Sequence, residues 1–117
     1  MKRFFLLVLL ITFLIFSGCL FKKPSVEVHK TSKYWSMRNA KSGSASAQKM
    51  LGSMYYLGDG VPKDLEKAYA WYKLAANQGD AGAQKFVDII TVLLTADQME
   101  EAQNQFLTHQ SEIKNGK

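Results

Sequence analysis

An all-α fold, a short α-solenoid of antiparallel helix pairs, is what this 117-residue sequence predicts. Three observations carry that expectation. The chain repeats itself at an interval of 36 residues: Trp35 falls on Trp71, Ala40 on Ala76, Gly43 on Gly79, Ala45 on Ala81, Ala47 on Ala83, Gln48 on Gln84 and Lys49 on Lys85. That is 7 identities over the 17 aligned positions from 35 to 51, against about one for unrelated sequence of ordinary composition. A period of this size marks a helical solenoid. The pairs Gly43-Ser44 and Gly79-Asp80 stand at equivalent places and share one chemistry. Glycine closes a helix in a left-handed conformation, and the Ser or Asp after it caps the next helix. Apolar residues between these corners recur at helical spacing.

The first 18 residues read as an export signal. Lys2 and Arg3 precede a 13-residue run from Phe4 to Phe16, apolar but for Thr12, followed by Ser17, Gly18 and Cys19, the order of a positive start, an apolar stretch and small residues before a cut. This arrangement resembles the lipobox of bacterial lipoproteins, with Phe16 where that family usually has leucine. The resemblance implies cleavage before Cys19 and lipidation of that cysteine, the only one in the chain. Leu20 after it implies the outer membrane of a diderm envelope, with the rest of the chain facing the periplasm. The alternative is an uncleaved anchor helix, because Phe4 to Phe21 is 18 residues without a charge, at the lower limit for spanning a bilayer. Lys22 and Lys23 blur the charge asymmetry that would orient it.

Cleavage before Cys19 leaves 117 − 18 = 99 residues, and the formal charge falls from +5 to 13 − 10 = +3. A charge so mild argues against nucleic acid as a partner. With no second cysteine there is no disulfide framework, so the domain depends on apolar packing. Residues 19–30 carry the lipidated cysteine and a tether broken by Pro24. The helical domain is expected at 31–109: a degenerate half repeat at 31–43, a full repeat at 44–79, and a partial repeat with a capping helix at 80–109. Residues 110–117 form a polar tail.

Within the full repeat, Ala47, Leu51, Met54 and Tyr55 share one face of a helix from 45 to 57. Leu65, Ala68, Tyr72, Ala75 and Ala76, with Trp71 beside them, mark a second helix from 65 to 78. Between them Gly58 terminates, Asp59-Gly60 turns, Pro62 cannot continue a helix, and Asp64 caps the next one. This glycine-rich stretch is not a phosphate loop, since the Gly-Lys-Ser/Thr ending and the preceding strand are missing. Nor is it a calcium loop, since Asp59 and Asp64 are its only acidic ligands.

Residues 45–79 resemble the Sel-one-like repeats, relatives of the tetratricopeptide repeats. The resemblance rests on Ala45, Ala47, Gln48, Leu51, Gly52, Tyr55, Gly58, Gly60, Val61, Asp64, Lys67, Ala68, Trp71, Tyr72, Ala75, Ala76 and Gly79, all in register. It implies antiparallel helix pairs that bind other proteins. Before this unit the pattern keeps only Trp35, Ala40 and Gly43. After it Ala81, Ala83, Gln84, Phe86 and Val87 open another front helix, but Asp88 stands where the glycine belongs. Thr95 and Gln98 form a capping box for a last helix from 96 to 109, which would cover the open end of the array. The count is about two to two and a half repeats, where roughly three are usually needed, so self-association is open.

No catalytic or metal-ligating spacing stands out, and no cofactor is expected. His29 and His109 read as solvated surface residues, and the adjacent Glu100 and Glu101 as charge near a helix start. Tyr55, Trp71 and Tyr72 read as core rather than as a base-stacking platform. The expected function is a membrane-tethered interaction module without catalysis, gripping a protein or peptide through Lys49, Ser53, Tyr56 and Lys85 on the inner face of the front helices. A narrower alternative is an inhibitor or immunity protein against an envelope-acting effector. A second is a hydrolase, as assigned to cysteine-rich relatives whose disulfides this chain lacks.

Overall fold

The computed structural model describes residues 3–8 and 26–116, and every regular element among them is a helix. The expected signal cleavage, Cys19 and the tether up to residue 25 lie outside the described residues. A short helix α1 (3–8) is followed by α2 (Val26–Lys41), α3 (Ala45–Leu57), α4 (Leu65–Asn77), α5 (Ala81–Leu93) and α6 (Ala96–Asn115). None of the described helices is long and apolar enough to cross a membrane.

The helix ends follow from local chemistry. Ser44, Asp64, Asp80 and Thr95 each stand at an N-cap, their side-chain oxygens accepting from the backbone N–H three residues on. These bonds satisfy donors that the first helical turn leaves unpaired. Gln98 returns the favour to the Thr95 N–H, completing the capping box. Gly43 and Gly79 turn with nearly equal φ, +98° and +96°, so the 36-residue period is present in the backbone as well as in the side chains. Gly58 sits at φ +72° with its N–H donating to Met54 O at 2.8 Å. A side chain there would be strained, and its Cβ would lie 3.2 Å from Lys63 Cβ. Gly58→Ala is therefore expected to lower stability by about 1–2 kcal/mol, as measured by urea unfolding.

Two apolar clusters share α4 between them. On one side Ala68, Tyr69, Tyr72 and Ala75 pack with Ala83, Val87 and Ile90 of α5 and Ala102 of α6. On the other, Trp71 and Leu74 pack with Ala40, Ala47, Leu51, Met54 and Val61. Alternating faces of one helix thus join the neighbouring front helices, and the alanines let the backbones approach. Gly52 is the tightest point: a Cβ there would lie 2.9 Å from the Tyr72 ring. Tyr55 is half-buried at the rim of both clusters rather than sealed in either. Gln48, buried, donates to Ala40 O at 3.1 Å, and Gln78 donates to Gln48 Oε1 at 2.8 Å and to Gly43 O at 3.0 Å. These bonds tie the two equivalent corners to each other.

Both ends of the array depart from the boundaries read in the sequence. Helix α2 starts at Val26, inside the stretch assigned to the tether, because no glycine or proline interrupts the chain from there to Lys41. Its Ser36, which stands 36 residues before Tyr72, is buried and donates to Met50 Sδ at 3.1 Å. That contact occupies the place that the Tyr72–Phe86 stack fills one repeat later. At the other end, α6 continues through Asn115, across most of the stretch 110–117 expected as a polar tail. It does not pair with α5 to close the open end. It packs along α4 and reaches α2, with Met99 and Ala102 on the first cluster and Phe106 and Ile113 on the second. The reason lies in α5: Asp88 and Thr91 stand where α3 offers Gly52 and Tyr55 to its back helix. An aspartate cannot seat a back-helix ring as glycine does, whereas α4 still has Trp71 and Leu74 to cover.

His109 corrects the sequence reading most directly. It is not a solvated tail residue; its ring stacks on Trp71 at 4.2 Å between centroids and 18° between planes, and its Nδ1 lies 3.5 Å from Glu112 Oε2. An amphipathic ring serves here as the lid of an apolar side chain, which its polar character alone does not announce.

Candidate functional site

Residues 46, 49, 53 and 56 of α3 and 82, 85, 89 and 92 of α5 recur at i, i+3, i+7 and i+10, one stripe on each front helix. These two stripes are related by the 36-residue shift. Lys49 on the first is exposed and reaches across to α5, its Nζ lying 3.4 Å from Asp80 Oδ2. Gly82 leaves room for that lysine: a Cβ there would lie 3.3 Å from Lys49 Nζ.

Aromatic rings fill the seam between the stripes. Tyr56 meets Phe86 edge to face at 5.3 Å, and Phe86 in turn stacks on Tyr72 at 4.8 Å and 6°. Such pairs add about 0.5–1.5 kcal/mol beyond their buried area. Burial pushes the Tyr72 phenol above its ordinary range, against a hydrogen bond with Ser53 that pulls it down. Ser53 is therefore engaged with the core beneath the surface, while Lys49, Tyr56 and Lys85 present chemistry outward. Tyr56 is half-buried and Lys85 exposed.

Beyond Tyr56 the surface turns apolar. Ile89 and Val92 stand 36 residues after Ser53 and Tyr56 and are 46% and 85% exposed; Leu93 beside them is 56% exposed. In the apolar pattern alone these residues are indistinguishable from core, because an apolar run resembles it. The signal was the repeat itself, which assigns 89 and 92 to the stripe that carries 53 and 56.

The carboxyl of Asp80 is held below the usual carboxylate range, first by the hydrogen bond from the Ala83 N–H and then by Lys49. Its stabilising contribution is present above the unfolded value, about pH 4, and is lost as the pH falls through the lower folded value. The stability difference between the native chain and Asp80→Ala, followed by unfolding at a series of pH values, is expected to be flat above about pH 5 and to shrink on acidification below about pH 4. Among the described residues no group of three or more His, Cys, Asp or Glu is placed to hold a metal ion.

Comparison with known proteins gives the following. The family model for the Sel1 repeat matches residues 45–80, one period of the array. The structure is similar to the crystal structure of c5321, a protective antigen present in uropathogenic Escherichia coli strains displaying an SLR fold, with a TM-score of 0.67 and 28% sequence identity. The match covers 69% of this chain and 18% of that chain, so this protein spans less than a fifth of the relative's length. No curated protein matches.

Proposed function

Because this chain is a Sel1-like repeat protein, we propose that it is a membrane-tethered adaptor of a bacterial envelope, gripping a partner protein along the two stripes of α3 and α5. Sel1 repeats are protein–protein interaction modules, and the observation that carries the finer reading is the exposed apolar run of Ile89 and Val92 continuing from Tyr56. Apolar side chains left uncovered beside a ring and two lysines have the character of an interface centre with a polar rim. The partner segment that fits has one or two apolar anchors for Tyr56, Ile89 and Val92 and an acidic or carbonyl group for Lys85 or Lys49. Catalysis has no place in this reading, since the stripe brings together no nucleophile, base and orienting group.

Tethering follows from the positive start, the apolar run and Cys19 in the sequence. An amino-terminal cysteine carrying several acyl chains would anchor firmly, because each buried methylene contributes roughly 0.8 kcal/mol. Two measurements test the proposal separately. Intact mass of the protein extracted from membranes should correspond to residues 19–117 plus acyl chains; a mass of the whole unmodified chain would replace the lipid with an anchor helix. Capture from detergent-solubilised envelopes should return a reproducible partner with the native chain and lose it with Tyr56→Ala or Val92→Asp, since an interface anchor contributes more than about 1 kcal/mol. A partner retained equally by both variants would move the interface elsewhere.

A further inference from the structure

Helix α2 presents a second surface that the stripe of α3 and α5 does not use. Thr31, Tyr34, Trp35, Arg38 and Lys41 fall at i, i+3, i+4, i+7 and i+10, one face of the helix, and all are exposed. Ser36 and Ala40 on the opposite face are buried against α3. Trp35 is 58% exposed and Tyr34 64%, whereas Trp71, the repeat equivalent of Trp35, is 2% exposed. His109 of the α6 strap covers Trp71, whereas α6 reaches only the buried side of α2, where Ile113 joins the cluster of Ala40, and leaves Trp35 open. The helix carries Lys30, Lys33, Arg38 and Lys41 against Glu27, a net charge of 4 − 1 = +3.

We propose that this face of α2 lies on the membrane surface, with Trp35 and Tyr34 at the level of the lipid headgroups and Arg38 and Lys41 on anionic phosphates. The inference rests on the tethered reading. Tryptophan and tyrosine are the residues that settle at a membrane–water interface, with an apolar body toward the chains and a polar edge toward water. Basic residues near an anionic leaflet are each attracted to it. Position favours lipid as the occupant: Val26 follows Cys19 by seven peptide links, with six residues between them, a reach of at most about 25 Å even fully extended. An anchored α2 therefore cannot leave the neighbourhood of the bilayer. A second copy fits less well. The α5 residues that would seat Trp35 as Ala47, Leu51 and Met54 seat Trp71 are Ala83, Val87 and Ile90, and these are already buried in the first cluster of their own chain. In the lipid-bound orientation α2 becomes the base of the array, and the stripe of α3 and α5 stands away from the bilayer, free for a partner.

The test uses the full chain reconstituted into vesicles of phosphatidylcholine and phosphatidylglycerol with brominated acyl chains, reading tryptophan emission. Brominated lipid is expected to quench part of the emission. Trp35→Ala should abolish that part and leave the emission of Trp71 unchanged, with the same far-UV circular dichroism. Arg38→Glu with Lys41→Glu should lower the quenching several-fold while the chain still floats with the vesicles. Flotation without lipid quenching, together with full access of acrylamide to Trp35, overturns this inference and leaves the tether standing. Protection of Trp35 from both quenchers that is lost when protein is diluted at fixed lipid assigns the face to a second copy and overturns it too. A chain that does not float removes the tether, and this inference with it.

Discussion

Replacing Trp71 with alanine is expected to cost about 3–5 kcal/mol, a large share of the roughly 5–10 kcal/mol that a domain of this kind holds in total. Trp71 is 2% exposed. It packs with Ala47, Leu51 and Met54 of α3 and with Leu74, and His109 of α6 stacks on its ring at 4.2 Å. Truncation therefore opens a cavity and also removes the seat of the strap helix, whose Phe106 and Ile113 rest on the same cluster. Collapse into the space is limited because the surrounding alanines carry nothing to move. Trp35→Ala provides the control. It deletes the same side chain one repeat earlier, where the ring is 58% exposed, and should change stability by no more than about 0.5 kcal/mol. Urea unfolding followed by far-UV circular dichroism distinguishes the two. Equal effects of both substitutions would mean that α6 does not cover Trp71.

Gly52→Leu is the second large effect, a net loss of about 2–3 kcal/mol. Leucine is the better helix former by about 1 kcal/mol, and Gly52 lies inside a helix without positive φ, so local preference alone predicts a gain. Packing reverses the sign. A Cβ on residue 52 would lie 2.9 Å from Tyr72 Cγ and 3.0 Å from two further ring carbons. The ring cannot step aside, because it is 1% exposed and stacked on Phe86 at 4.8 Å. The remaining course is to push α4 away from α3. Overpacking of this kind costs typically 1–3 kcal/mol and occasionally more. Since Phe86 also carries the edge contact to Tyr56, the same substitution should weaken partner capture through the stripe. A Gly52→Leu chain as stable as the native one would show that the two helices slide freely, against the close seat described here.

What the sequence determined by itself is the set of short-range devices. The caps at Ser44, Asp64, Asp80 and Thr95 and the turns at Gly43, Gly58 and Gly79 act within a few residues of where they are written, the 36-residue interval repeats them, and each stands in the structure where its chemistry requires. The pairing of α3 with α4 was legible for the same reason, since a short turn between two apolar faces leaves few other arrangements. Helical spacing also puts Lys49, Ser53, Tyr56 and Lys85 on the two related stripes, with Ser53 beside the Tyr72 phenol; their part in gripping a partner is the proposal made above.

Only the tertiary structure decided where the last helix goes, and with it which apolar residues are core and which are surface. The stripe of Met99, Ala102 and Phe106 says that α6 has a face to bury, but not against what. Two surfaces competed for it: α5, blocked by Asp88, and the back of α4, with Trp71 and Leu74 uncovered. The second won, so His109 became a lid, and Ile89 and Val92 stayed in solvent. Apolar attraction is non-directional and depends on the area available to be covered. The destination of an amphipathic helix is therefore a property of the assembled surfaces, and no window along the chain contains it.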